Sequence, residues 1–318
     1  MRIMTKVFGV LTMRYLIINA LFVLLNVSSM MAEEASNPDE ELKKIGSDIH
    51  GFCDFVFKNS YITPRGLLVT DTDLTVQILA GLVLDVYRKP TKTVSGISII
   101  FGVWNDLWTG QDNPKVGSWN EMDWFAGIDV SFAKSWKLRA QFIEFLSPPG
   151  NFTPENNAEF TLSYDDSLWR LPIVFNPYIR FFWAISGDST VVVGKPGDTY
   201  YIEFGLIPTL NFNKCIPITL TAPTWISIGP PNFWNGGKLA LKNEKSHFGV
   251  ISTGLKGNVS LTFIPQTLGK GYLDIGIQYY HLINNNLLQA QLFTLDLSSL
   301  HSAKRNVVVG SAGFGFEF

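Results

Sequence analysis

The feature that most narrows what this chain can fold into is a series of segments in which apolar and polar side chains alternate for longer than a soluble strand allows. From Leu74 the even positions read Leu74, Val76, Ile78, Ala80, Leu82, Leu84 and Val86, facing Thr75, Gln77, Gly81, Asp85 and Tyr87 on the odd ones. Residues 119–132 repeat the pattern, with Met122, Trp124, Ala126, Ile128, Val130 and Phe132 on one side and Glu121, Asp123, Gly127, Asp129 and Ser131 on the other. A period of two marks a strand with two unlike faces. Soluble strands peak at about 5 to 6 residues, whereas a tilted strand crossing a bilayer needs about 9 to 11. The alternation returns at Ala158, Phe160, Leu162 and Tyr164, at Tyr200, Ile202, Phe204 and Leu206, and at Leu273, Ile275, Ile277 and Tyr279. Weaker candidates lie at 95–106, 136–146, 176–184, 216–228, 247–255 and 258–264, separated by Gly, Pro, Asn and Asp clusters. With a first strand over 51–60 and a short helix within a loop at 287–297, the expectation is an all-β, transmembrane antiparallel up-and-down β-barrel of about 12 strands, with 14 possible.

Composition agrees with a chain that meets lipid through strands. Charged residues make up 16%, below the roughly 25% of soluble domains, while aromatics reach 14%. Past the N-terminal region no stretch approaches 18 consecutive apolar residues, so a spanning helix is excluded there. A net charge of −2 gives no bulk positive field for nucleic acid. Two Cys, and no Cys/His cluster with zinc-site spacing, point to no metal and no cofactor. At the N-terminus, Arg2, Lys6 and Arg14 surround an apolar run at 15–27 that ends in Ser28-Ser29-Met30-Met31-Ala32, the order of a secretory signal peptide over 1–32. An uncleaved anchor is the alternative, but the run is shorter than the roughly 20 residues of a spanning helix. Residues 33–49 read as a polar periplasmic lead-in and 50–318 as the barrel.

Alternation alone does not say which face points outward, since a soluble lipocalin-like barrel keeps its apolar side within. Strand length, the charges on the polar face, and Trp104, Trp108, Trp119, Trp136, Trp183 and Trp225 near strand ends favour an apolar exterior with aromatic girdles. The lumen then receives Gln77, Asp85, Glu121, Asp123, Asp129, Lys137, Arg139, Gln141, Glu159, Arg180, Glu203, Asp274 and Gln278. Seven of these are acidic and three basic, which predicts a hydrophilic pore with a mild cation preference. Closure by side chains or an infolded loop is the competing expectation. Long connections at 105–119, 147–157, 185–198 and 229–246 alternate with short ones at 88–94, 133–135, 208–215 and 256–258, as in barrels with external loops and periplasmic turns. The segment 283–305 falls out of phase, so one strand between 229 and 305 is missed or split.

Val308, Gly310, Ala312, Phe314, Phe316 and Phe318 share one face, and this resembles the C-terminal signature of bacterial outer-membrane barrels. The resemblance implies that Phe314, Phe316 and Phe318 form an assembly signal read by the barrel-assembly machinery. Asn59-Ser60-Tyr61 through Arg65-Gly66, then Trp104-Asn105, Trp119-x-Glu121-x-Asp123 and the terminal GSAGFGFEF, resemble the TorF-type outer-membrane porin family. That likeness implies export to the outer membrane of a Gram-negative-type bacterium, contact with outer-membrane lipids, and passive diffusion of small hydrophilic solutes through a narrow polar lumen. It brings no catalytic residues and leaves a homo-oligomer open.

Two other classes stay in view. A lipid-modifying barrel enzyme needs a nucleophile, a His within reach and an orienting group. The candidates are His50, His247, His281 and His301, with His281 on the lipid-facing parity beside Tyr279 and Tyr280. A structural or adhesive barrel would act through loops 105–119 and 229–246. Cys53 and Cys215 fall near predicted periplasmic ends, where a bridge is open.

Overall fold

A computed structural model of the chain describes residues 48–110, 118–185, 199–212, 217–234, 244–265 and 269–318. The expected signal peptide, all but the end of the lead-in, Cys215, and parts of the loops at 105–119, 185–198 and 229–246 lie outside the described residues.

In chain order the strands are β1 (Ile49–Lys58), β2 (Tyr61–Ile62), β3 (Leu68–Thr70), β4 (Thr75–Arg88), β5 (Val94–Trp108), β6 (Trp119–Phe132), β7 (Trp136–Leu146), β8 (Glu155–Tyr164), β9 (Tyr178–Ala184), β10 (Thr199–Leu206), β11 (Thr209–Asn211), β12 (Ile218–Thr221), β13 (Thr224–Ile228), β14 (Phe248–Ser260), β15 (Lys270–Leu282) and β16 (Asn306–Glu317). Two helices, α1 (Pro231–Trp234) and α2 (Asn285–Thr294), sit in connections. Twelve strands close on themselves, each antiparallel to the next, in the order β1, β4 to β10, β13 to β16, with β16 returning to β1. The expected barrel and strand count hold. Closure leaves no free strand edge in the wall.

The two extra strands are continuations of the wall. Leu206 pairs with Thr224 and Thr209 with Thr221 in a single register, so β10–β11 and β12–β13 are two long strands interrupted side by side at Ile207-Pro208 and Ala222-Pro223. Proline has no N–H to give, which costs the ladder a rung. Pairing resumes at once, because the Pro208 carbonyl accepts from the Ala222 N–H at 2.8 Å and the Pro223 carbonyl from Gly254 at 3.0 Å.

Two turn expectations are corrected here. Pro208 suggested a turn over 208–215, yet the strand runs on to Asn211. Lys256-Gly257-Asn258 suggested a turn at 256–258 and a new strand at 258–264, yet β14 is continuous and these residues pair with Gly276, Ile275 and Asp274 of β15. Turn-type residues stay in a strand here because the ladders on both sides supply partners for their backbone. With β14 whole, 283–305 falls into phase as a long loop that carries α2, the expected helix. Both chain ends of the barrel and the turns at 89–93 and 133–135 lie at one end, the terminus end; the connections 59–74 and 283–305 lie at the other, the loop end.

The outward parity is apolar along the wall. Leu82, Ile99, Phe101, Ile128, Leu255 and Ile277 are exposed, and Ile275 is 69% exposed. A continuous face of this kind belongs in lipid, since water would not tolerate so large an apolar patch. Phe55 and Phe314 stack at 4.9 Å across the β1–β16 seam on this face, and the free thiol of Cys53 shares that parity. The girdle expectation holds only in part. Trp119 and Trp136 are exposed, with Trp136 packed on Tyr164 at 4.9 Å, but Trp108 is buried and Trp104 and Trp225 also join interior clusters. Inward tryptophans are stable there because the loop end of the lumen is packed rather than filled with water.

Candidate functional site: the lumen

The loop half of the lumen is a protein core. Residues 59–74, which leave β1 and return to β4, fold inward as the β2–β3 hairpin, with Tyr61, Ile62, Leu68 and Val69 buried. Its tip, Thr63-Pro64-Arg65-Gly66, has the proline and glycine that a four-residue turn favours at its second and fourth positions, and the Gly66 N–H donates to the Thr63 carbonyl at 2.9 Å. Gly66 has φ +95°, and a Cβ there would come within 2.9 Å of Leu287 in α2. Asn284 caps α2 by accepting from the Asn286 N–H at 3.0 Å, and the Thr294 hydroxyl donates to the Leu68 carbonyl at 2.6 Å, tying helix to hairpin.

The hairpin and α2 pack against inward residues of the wall, including Phe145, Phe182, Tyr201, Val250, Leu282, Val307 and Val309, and α1 adds Phe233 and Trp234. Arg65 crosses to the far side. Its guanidinium lies 4.5 Å from the Phe145 ring centroid and 5.1 Å from that of Phe182, within the field of Glu121 and Asp123. The Tyr61 hydroxyl donates to Glu121 at 2.7 Å. The short motif that carries the family resemblance, Tyr61 through Gly66, is therefore the tip of an internal plug.

Toward the terminus end the interior turns polar, and its side chains are paired across neighbouring strands. Asp129 accepts two hydrogen bonds from Arg139, both at 2.7 Å, and one ion pair from Lys137 at 2.8 Å. Arg180 reaches Glu159 at 3.4 Å and Glu203 at 3.2 Å, and Glu203 also accepts from the Tyr178 hydroxyl at 2.7 Å. Gln141 donates to Glu159 at 3.1 Å. Of these groups, Lys137, Arg139, Glu159, Tyr178 and Arg180 border a cavity of about 400 Å³ that runs from Arg180 to Ser135 and Asp165 at the terminus end.

The remaining expected lumen residues lie around the same interior. Gln77 donates to Asp106 at 3.2 Å. Asp85, near the terminus end, bonds Arg88 and accepts from Ser98 at 2.6 Å. Asp274 holds Lys256 at 3.0 Å and Asn258 at 3.0 Å, and Gln278 donates to Ser252 at 2.7 Å. Glu121 and Asp123 lie beneath the plug, apart from the cavity. Sequence reasoning passed over Asp106, which Thr75, Gln77 and Asn120 all reach, and Lys256, hidden in what looked like a turn. It also passed over Arg65. The signal for the plug was the inward parity itself, which changes from charged to aromatic toward the loop ends of β7, β9 and β10.

The exterior offers one oriented histidine. His281 Nδ1 donates to the Asn306 side-chain oxygen at 2.7 Å, an acceptor it shares with the Tyr279 hydroxyl at 2.8 Å. Among the described residues no serine or threonine hydroxyl bonds to His281, so the arrangement has an orienting group and no paired nucleophile. At the terminus rim Asp48, His50 and Asp85 gather their ligand atoms within 4.8 Å, but Arg88 already pairs with both carboxylates.

A closed antiparallel barrel, apolar without, polar within at one end and plugged at the other, defines the structural class of outer-membrane β-barrels. No protein-family model matches the sequence, and no curated protein matches it. Among solved structures the chain is similar to an outer membrane channel from Pseudomonas putida F1, at 10% identity and a TM-score of 0.50 over 86% of this chain and 96% of that one. It is also similar to the NanC porin, at 11% identity and a TM-score of 0.40 over 85% and 98%, and to outer membrane phospholipase A from Escherichia coli, at 8% and 0.39 over 87% and 96%. At these identities the likeness is one of fold.

Proposed function

We propose that this chain is a porin-type channel of the outer membrane of a Gram-negative-type bacterium, passing small hydrophilic solutes by diffusion, with the β2–β3 hairpin as its restriction. The observation that carries the reading is the polar cavity inside a lipid-facing barrel. A barrel serving only as an anchor could be packed solid throughout, as its loop half largely is; charged groups bordering open space keep their hydration and can filter solutes. The resemblance to TorF-type porins supports it; on this reading the terminus end, where the cavity lies, faces the periplasm, and Phe314, Phe316 and Phe318 serve as the assembly signal. Single-channel recording and liposome swelling test the proposal on the whole protein and on a variant whose residues 59–74 are replaced by a short Gly-Ser linker, with heat-modifiable migration as the folding control. The wild type should show small, infrequent openings and the variant a larger, steadier conductance. If the folded variant passes neither ions nor sugars, the channel reading fails and a structural barrel takes its place.

A further inference from the structure

One hydrogen-bonding row of the wall orders its charges in a way the head-count of seven acids to three bases does not reveal. The register pairs Asp129 with Arg139, Arg139 with Thr161, Thr161 with Arg180, Arg180 with Glu203, and Glu203 with Ser227. Read across five strands the row is acid, base, hydroxyl, base, acid. Its formal charges cancel, so placement decides what a solute meets. Asp129 and Glu203 are tucked behind, with side-chain exposures of 7% and 1%, while Lys137, Arg139 and Arg180 keep 47%, 35% and 28% and line the cavity together with Glu159, at 13%, and Asp165.

The two guanidiniums flank Thr161, borne by the strands on either side of it. Each has donors to spare, because a guanidinium carries five N–H groups. Arg139 uses Nε and Nη2 on Asp129, and Arg180 uses Nε on Thr161 and Glu159 and Nη1 on Glu203, leaving Arg139 Nη1 and Arg180 Nη2 without a bond among the described residues; the Thr161 hydroxyl accepts from Arg180 and donates to Glu159 at 3.4 Å. Two cations held together with unused donors, beside a hydroxyl and an open cavity of about 400 Å³, form a receptor for an oxyanion.

We infer that the cavity between β7 and β9 binds the carboxylate or phosphate group of a small anionic solute, with Arg139 and Arg180 as its two prongs, the Thr161 hydroxyl between them and Lys137 nearer the mouth. The inference rests on the channel reading for its biological sense, but binding can be measured without transport. It reverses the cation preference expected from composition, because Glu121 and Asp123 belong to the plug, Asp129 and Glu203 stand behind their basic partners, and Lys137, Arg139 and Arg180 outnumber Glu159 and Asp165 in the cavity lining.

The test is calorimetric titration of the detergent-solubilised full chain with inorganic phosphate, with succinate, and with glucose and tetramethylammonium as neutral and cationic probes. Phosphate or succinate should bind and the other two should not; which of the two anions binds identifies the oxyanion. Arg139→Gln and Arg180→Gln should each weaken binding about tenfold or more, the loss of a charge-assisted hydrogen bond. Thr161→Val, which changes no charge, should weaken it less and serves if either arginine variant fails the heat-modifiability control. Anion binding by a protein that never conducts keeps the site and removes the channel. Conductance without binding of either anion, or binding of tetramethylammonium in their place, overturns the inference and leaves the channel.

Discussion

The Arg65 guanidinium lies 4.5 Å above the centroid of the Phe145 ring, so the tip of the infolded hairpin is held to the β7 wall by a cation against an aromatic face. A desolvated contact of this kind is worth about 2 kcal/mol, and Phe182 adds a second ring at 5.1 Å. Arg65→Ala should loosen the hairpin while leaving the wall intact. Single-channel records should then show more frequent openings at unchanged strand content. Opening statistics identical to wild type would remove Arg65 from any role in holding the plug.

Gly66 tests the other side of the hairpin. At φ +95° any L side chain is strained by about 1–2 kcal/mol, and a methyl group would press on Leu287 and Leu282 at 2.9 and 3.2 Å. Gly66→Ala should lower the temperature at which the unboiled species converts to the unfolded one and raise opening frequency, as Arg65→Ala does. A variant as heat-resistant as wild type would mean that the hairpin does not seat against α2.

The turn between β8 and β9 carries a pH-dependent anchor. Burial pushes the Asp166 carboxyl up, but the amide donors of Asn176 and Phe175, at 2.8 and 2.9 Å, outweigh it and hold the carboxyl below its ordinary value. A depressed carboxyl stabilises the fold fully above its unfolded value of about 3.9 and loses that contribution as pH falls through the folded one. The stability gap between wild type and Asp166→Asn should therefore be wide at neutral pH and close in acid. A gap of the same size at about pH 7 and pH 2 would show that the carboxylate charge is not what anchors the turn.

His281 discriminates between channel and lipid enzyme. Because Asn306 orients it but, among the described residues, no serine or threonine hydroxyl bonds to it, His281→Ala should leave both conductance and the phospholipid content of reconstituted vesicles unchanged. Breakdown of phospholipid by the wild type that disappears in His281→Ala would establish an enzyme.

The wall was legible in the sequence; closure by an infolded loop was an open alternative there, but which residues form the plug was not legible, for one physical reason. Lipid outside and charge inside impose a period of two on β4, β6, β8, β10 and β15, and a local pattern suffices to read it. The strand breaks misled because Pro208, Gly257 and Asn258 are turn residues in any context except between ladders that pair their neighbours. Tyr61, Ile62 and Leu68 look like ordinary loop residues, and only the clusters they join far along the chain, Ile62 and Leu68 with Phe145, Phe182 and Leu287 and Tyr61 with Trp104 and Trp108, make them core. Site residues followed the same division. Asp129, Arg139 and Arg180 were visible from parity, but their order in one row depended on the register between strands, and the exposure of the bases over the acids depended on side-chain packing.

The central claim is that each long strand has one face in lipid and the other in a polar interior, and spin labels read this directly. Labels at Leu82, Ile128 and Ile275 in proteoliposomes should be relaxed by oxygen and shielded from a water-soluble nickel chelate, whereas labels at Gln141, Thr161 and Ser311 should show the reverse. Preference for the chelate at the first set, or no alternation between the two, would contradict the account.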